Sequence, residues 1–172
     1  MFMAIPERLR ERLEKLGLSA DIYTQRARKC ILSRKELSLE RVSWYTHAYF
    51  SDSKDGLLFD PVSLIPCLAL EPDKNEKILD MCAAPGTKTF ILSFITNNNA
   101  YITANDIDRN RIKRLKAIVD KYNIKCDVTN VSGRKIEGSF NKILVDAPCS
   151  GEGLINKSKK QGAGIFYTAL VI

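Results

Sequence analysis

The chain has 172 residues, 45% of them apolar, which suits one domain with at most a small appendage and argues against wholesale disorder. Its formal charge of +7 and pI near 9.2 favour a polyanionic partner, most simply nucleic acid. Five cysteines (30, 67, 82, 126 and 149), no two in a Cys-x-x-Cys, stand beside the single His47 and argue against both a disulfide framework and a metal site.

Residues 5–16 place Ile5, Leu9, Leu13 and Leu16 on one helical face, with Pro6 near the first turn and Gly17 as a stop. Residues 20–43 read as charged, weakly patterned elements, and over residues 1–50 ten Lys and Arg stand against six Asp and Glu. Residues 1–50 are therefore expected to be a small, mainly helical N-terminal extension, either an RNA-contacting appendage or a solvated arm. The opening Met-Phe-Met-Ala-Ile-Pro-Glu-Arg has no apolar signal core, and the apolar run 57–70 is broken by Asp60, Pro61 and Pro66. Together with reduced thiols these features predict a soluble cytoplasmic protein with no membrane partner. Trp44, Tyr45, Tyr49 and Phe50 cluster around His47, either as a base-stacking surface or, the commoner use, as a lid on a core.

From residue 60 the pattern alternates strand and helix. Asp60-Pro61-Val62-Ser63 starts a helix carrying Leu64, Ile65, Leu68 and Leu70. Strands are predicted at 77–82, 100–105, 124–130 and 141–146, with a helix at 87–96 and another capped by Asp108. In the latter, Ile112, Leu115, Ile118, Val119 and Tyr122 recur at helical spacing. Such alternation implies right-handed crossovers and an α/β fold with a parallel sheet.

The chemistry concentrates where strands end. Residues 82–88 form a short glycine-bearing loop between a strand and a helix, which suits a carboxylate or phosphate at a helix N-terminus. It lacks both the Gly-x-Gly-x-x-Gly fingerprint and the P-loop ending. The next strand ends at Asn105-Asp106, where a carboxylate can accept ribose hydroxyls. This unit indicates an adenosine-bearing cofactor; an ordinary βαβ with a helix-capping aspartate is the bland alternative. The strand ending at Asp146 runs into Pro148, Cys149 and Ser150. An aspartate and a thiol so close suit attack on C6 of cytosine, which makes C5 nucleophilic toward a sulfonium methyl donor. A lone cysteine is more often structural.

Residues 60–153 resemble the RNA (cytosine-5) methyltransferases of the Sun/Nop (RsmB-like) type. DMCAAPGTKT (80–89), ANDIDRNR (104–111) and DAPCSGEG (146–153) match that family's successive motifs, and FDPVS (59–63) its approach to the first strand. The resemblance implies a Rossmann-like class I methyltransferase domain over 51–172. S-adenosyl-L-methionine would be held by Cys82, Ala83, Ala84, Pro85, Gly86, Thr87 and Lys88, with Asp106 on the ribose. Asp146 would lie near both methyl donor and target base, and Cys149, Asp146 and Lys88 would form the catalytic set. Where the family carries an acidic residue for the adenine end, this sequence has Ser132. The implied substrate is tRNA or rRNA.

In the RNA family the nucleophile is a second cysteine in a downstream Thr-Cys-Ser-like motif, and the Pro-Cys cysteine assists product release. After Gly153 this sequence shows no such motif, which leads us to expect an incomplete sheet of about four parallel strands with its last strand near an open edge. Two other readings accompany the enzyme: a non-catalytic fragment that binds cofactor or RNA or acts with a partner chain that completes the sheet, and a DNA cytosine-5 methyltransferase using Cys149.

Overall fold

The computed structural model describes residues 7–17, 28–147 and 169–171. Glu7–Lys15 form α1, which stops where Gly17 takes φ 69° and its N–H bonds the Glu14 carbonyl at 2.9 Å. This helix belongs to a different unit from the other described residues.

Two short antiparallel strands open the larger unit, β1 (Cys30–Leu32) and β2 (Ala48–Phe50), with Cys30 opposite Phe50. Cys30 and Phe59 exchange backbone hydrogen bonds of 2.9 and 3.1 Å. In addition to the helix Glu7–Lys15, this N-terminal segment thus carries a hairpin that the sequence pattern does not show. Each strand is only three residues long, too short for a period-two pattern to register in sequence, and Cys30, Ala48 and Phe59 are drawn into the same apolar cluster as Ile78 and Leu92. Tyr49 is buried, and Tyr45 and Phe50 pack on that cluster, so these aromatics form a lid, while Trp44 stays exposed. His47 meets the ring edges of Tyr45 and Phe94 at centroid distances of 5.9 and 6.1 Å, a structural role.

Asp60 caps a 3-10 turn (Pro61–Ser63) that leads into α2 (Leu64–Ala69). Then follow β3 (Lys77–Asp80), α3 (Thr87–Ile95), β4 (Tyr101–Asn105), α4 (Arg109–Lys121), β5 (Cys126–Thr129), β6 (Lys142–Asp146) and β7 (Ala169–Val171). The sheet order is β5-β4-β3-β6-β7. The first four are parallel, with Asp80 in register with Ala104 on one side and Leu144 on the other. The expected Rossmann-like parallel sheet of four strands is borne out.

The edge expected to be open is occupied: β7 pairs antiparallel with β6, Val145 opposite Leu170. An unpaired row of N–H and C=O groups recruits any available extended segment, and the Ala-Leu-Val run supplies one. Ile78, Leu79, Ile91, Leu92, Ile102 and Leu115 are buried between sheet and helices. Burial of each such side chain contributes roughly 1.5–3 kcal/mol. From β3 the chain moves outward to β4 and β5, then returns to β6 on the other side, so the crevice beyond the carboxyl ends of β3 and β6 is the switch point where such sheets bind ligands. No described helix is long and apolar enough to cross a membrane.

Candidate functional site

Asp80 ends β3, Asn105 ends β4 with Asp106 directly after it, and Asp146 ends β6, so these residues share one edge of the sheet. The loop above them is fastened to its neighbours through backbone groups. Met81 N–H bonds the Leu144 carbonyl at 2.9 Å, and Ala83 N–H bonds the Asn105 carbonyl at 2.7 Å. The Ala84–Pro85 peptide is cis. Gly86 caps α3 at φ 114° with no side chain to satisfy the first helical N–H groups. A Cβ there would lie 3.1 Å from Leu115 Cδ1 and 3.3 Å from Ile118 Cβ, so α4 packs directly against the loop.

Asp106 is buried and joins loop to helix. Its Oδ2 accepts from Ala84 N–H at 3.2 Å and sits 3.3 Å from Arg111 Nη1; its Oδ1 accepts from Asp108 N–H at 3.0 Å. Arg111 also donates to the Ala84 carbonyl. A carboxylate offers about four acceptor positions, and these contacts take three of them. Asn105 braces the next loop: its Nδ2 donates to the carbonyls of Met81 and Val131, and its Oδ1 accepts from Thr129 Oγ1 and Val131 N–H.

Asp80 is fully buried. Thr89 Oγ1 donates to its Oδ2 at 2.7 Å, while Oδ1 has no partner among the described residues. Burial pushes this carboxyl up to about 7, against the opposing pull of the Thr89 hydrogen bond and of Lys88. Nearby, Lys88 Nζ lies 2.6 Å from Asp146 Oδ2, with the lysine side chain 17% exposed and the aspartate 40%. Two predicted catalytic residues thus meet. Cys149, the third, lies outside the described residues.

Among the loop residues, Ala83, Ala84 and Gly86 are buried, Cys82, Thr87 and Lys88 half-buried, and Pro85 exposed. Burial, then Asp106 and Asp80, raises the Cys82 thiol above its ordinary value, which disfavours the thiolate. Ser132 precedes a 3-10 turn (Gly133–Lys135) just past β5, with no capping bond from its side chain. Gly133 is held against Met81: an added Cβ would lie 2.9 Å from the sulfur.

Sequence reasoning missed several residues here. Thr89 partners Asp80, and Asn105 ties three loops together. Ile107 and Val131 remain 69% and 41% exposed beside Asp106, where apolar side chains gain nothing from water. The signal available was an isolated apolar residue between two aspartates at a strand end. Among the described residues, no group of His, Cys, Asp and Glu is arranged to hold a metal ion. A polar groove of about 380 Å³ bordered by Asn75, Asn98, Tyr101, Lys125 and Asp127 lies at the amino ends of β4 and β5, the opposite edge from this site.

Comparison with known proteins places these elements in a family. Residues 67–162 match the model for 16S rRNA methyltransferase RsmB/F. The human 28S rRNA (cytosine(4447)-C(5))-methyltransferase is 38% identical over 99 residues, 55% of this chain and 12% of that protein. Ribosomal RNA small subunit methyltransferase F of Vibrio vulnificus is 29% identical over 176 residues, 90% of this chain and 36% of that protein. The crystal structure of PH0851 superposes with a TM-score of 0.74 at 23% identity, over 89% of this chain and 43% of that one, a likeness of fold. This chain therefore spans only a minor part of the length of these curated relatives. The matched segment runs from α2 through the loop and the strand ends that carry the site, and on that ground the chain belongs to the RsmB/F methyltransferase family.

Proposed function

We propose that this chain carries the cofactor-holding and base-engaging part of an S-adenosylmethionine-dependent RNA cytosine-5 methyltransferase, with rRNA as the substrate class. The observation that carries this reading is the Lys88–Asp146 ion pair, which joins the cofactor loop to the strand end preceding Pro-Cys. The names of the relatives, rRNA cytosine-C5 methyltransferases among them, support the substrate class.

The residues present fit the cofactor. Gly86 leaves the first N–H groups of α3 free for a carboxylate, and the close approach of α4 admits no side chain at that position. Asp106 offers about one remaining acceptor position to a ribose hydroxyl, and Ile107 and Val131 offer apolar surface to an adenine ring. Ser132 contributes one hydroxyl at that end. When bound, S-adenosylmethionine supplies an electrophilic methyl group.

On the base side, Lys88 orients the Asp146 carboxylate, which accepts from the cytosine amine and holds the ring. A cysteine thiolate adds to C6; the C5–C6 π electrons then become available at C5. After methylation, loss of the C5 proton to a base and cleavage of the C6–S bond restore the ring. The target base must be unstacked to reach the crevice.

The test supplies a small-subunit rRNA transcript and labelled S-adenosylmethionine to the full chain and seeks 5-methylcytidine by nucleoside mass spectrometry. Product that disappears in Asp146→Asn supports the reading. If Cys149→Ala abolishes turnover, that thiol attacks C6; if it accumulates a covalent protein–RNA complex, that thiol serves release. Cofactor binding with no methylated product would replace the enzyme by a binding module, and methylation of single-stranded DNA in preference to RNA would replace the substrate class.

A further inference from the structure

We propose that the outward face of α4, carrying Arg109, Lys113, Arg114, Lys116 and Lys121, is a docking surface for the phosphodiester backbone of RNA. That RNA is the polyanion rests on the methyltransferase reading above; the cationic face itself does not.

The helix reads RNRIKRLKAIVDK, and Asp120 is its only acid. Its inward side is accounted for: Ile112 and Leu115 are buried, and Arg111 is spent on Asp106 and the Ala84 carbonyl. Arg109, Lys113, Arg114, Lys116 and Lys121 all face solvent, and none forms a salt bridge among the described residues. Lys121 also lies 5.2 Å from the Tyr122 ring, and Arg114 contributes to holding the Asp108 carboxyl below its ordinary value, after the Arg111 and Asn110 N–H bonds.

This arrangement is locally unfavourable. Arg109 and Lys113 are like charges at i,i+4, and Lys113 and Lys116 at i,i+3, spacings at which like charges repel by about 0.2–0.5 kcal/mol per pair. The first turn has no acid, and Arg109 sits at the positive end of the helix dipole. The acid at that end is Asp108, the N-cap, whose carboxylate is taken up by the Asn110 and Arg111 N–H groups. Asp108 at the N-cap and Asp120 offset part of this repulsion, and the surplus of cations left on the outward face points to a counter-charge from outside. Arg109 to Lys121 spans about 18 Å of helix, room for several phosphates.

Position supports the same partner. The helix begins just past Asp106, and its first turn is pinned to the cofactor loop by Arg111. A strand lying along α4 is therefore led toward the carboxyl edge of the sheet, where a base would be engaged. Phosphate contacts of this kind position a nucleic acid without reading its sequence.

The experiment measures binding of the full chain to a fluorescent single-stranded RNA by anisotropy, at salt from about 50 to about 200 mM. It compares the unaltered protein with a variant carrying Arg109→Gln, Lys113→Gln, Arg114→Gln and Lys116→Gln; glutamine keeps helix propensity close to that of lysine and arginine. The variant is expected to bind roughly tenfold or more weakly, and its slope of log affinity against log salt to flatten by about 3. Its thermal midpoint should hold or rise slightly as the like-charge repulsion is relieved, and its affinity for S-adenosylmethionine should stay unchanged. An unaltered slope and affinity in the variant, with the parent binding RNA well, overturns the surface and leaves the methyltransferase reading standing. A parent that binds no RNA at low salt overturns both. Loss of binding to anionic phospholipid vesicles in place of RNA would give the face to a membrane and also overturn the proposal.

Discussion

The ammonium of Lys88, in the first turn of α3, lies 2.6 Å from a carboxylate oxygen of Asp146, the last residue of β6. Neither residue is near the other in sequence. Parallel pairing of β3 with β6 brings them together above a fully buried Asp80. Replacing Lys88 with Met removes the partner that orients Asp146 while keeping a long side chain. The expected outcome is a loss of turnover of about 100-fold, in the range of a lost acid–base or positioning group, with an unchanged melting temperature. Single-turnover methyl transfer and a thermal melt measure the two.

Asp80 should make stability depend on pH. Its folded carboxyl stands at about 7, above its ordinary value, so the native state binds the proton more tightly than the unfolded chain. Its stabilising contribution is complete below the unfolded value and is lost as pH rises through about 7. Asp80→Asn is expected to flatten this fall, and to be more stable than the parent at pH above 7 by the order of 1–4 kcal/mol. Urea unfolding of both proteins at acidic and alkaline pH gives the comparison; parallel curves would contradict it.

Gly86→Ala should be costly although it adds one methyl group. A φ of 114° is strained for any L side chain, and the new Cβ would meet Leu115 and Ile118 at 3.1 and 3.3 Å. A destabilisation of about 1–3 kcal/mol is expected. Calorimetric titration with S-adenosylmethionine should show weakened binding as well, since loop and helix end move together.

Asn105→Ala removes four hydrogen bonds at once and leaves the Met81 and Val131 carbonyls, the Val131 N–H and the Thr129 hydroxyl without that partner. Each buried group so orphaned costs about 1–3 kcal/mol before relaxation, so a loss of about 3 kcal/mol overall is expected in denaturant unfolding. Arg111→Ala should act more gently on stability, since its guanidinium is partly exposed, and more strongly on cofactor affinity, since it clamps Ala84 to Asp106.

Much of the α/β unit was legible in advance. The cap at Asp108 and the apolar spacing of Ile112 and Leu115 marked α4, and the runs ending at Asn105-Asp106 and Asp146 marked strand ends, while the first strand, expected over 77–82, stops at Asp80. The hairpin of Cys30–Leu32 and Ala48–Phe50 was not, because three residues carry too little periodicity and their burial comes from a distant core. Pairing of Ala169–Val171 with β6 was equally invisible, since no local signal says which edge an extended run will join.

The sequence by itself determined the chemistry: which loops carry glycine, which strands end in carboxylates, and which motifs mark the family. These are local properties, written in adjacent residues whose propensities and spacing need no partner. Only the tertiary structure decided that Lys88 meets Asp146, that Asp106 clamps Ala84 through Arg111, and that Asp80 is sealed from water. Strand order and burial set those relations, and both depend on which distant segments share a sheet edge and exclude solvent.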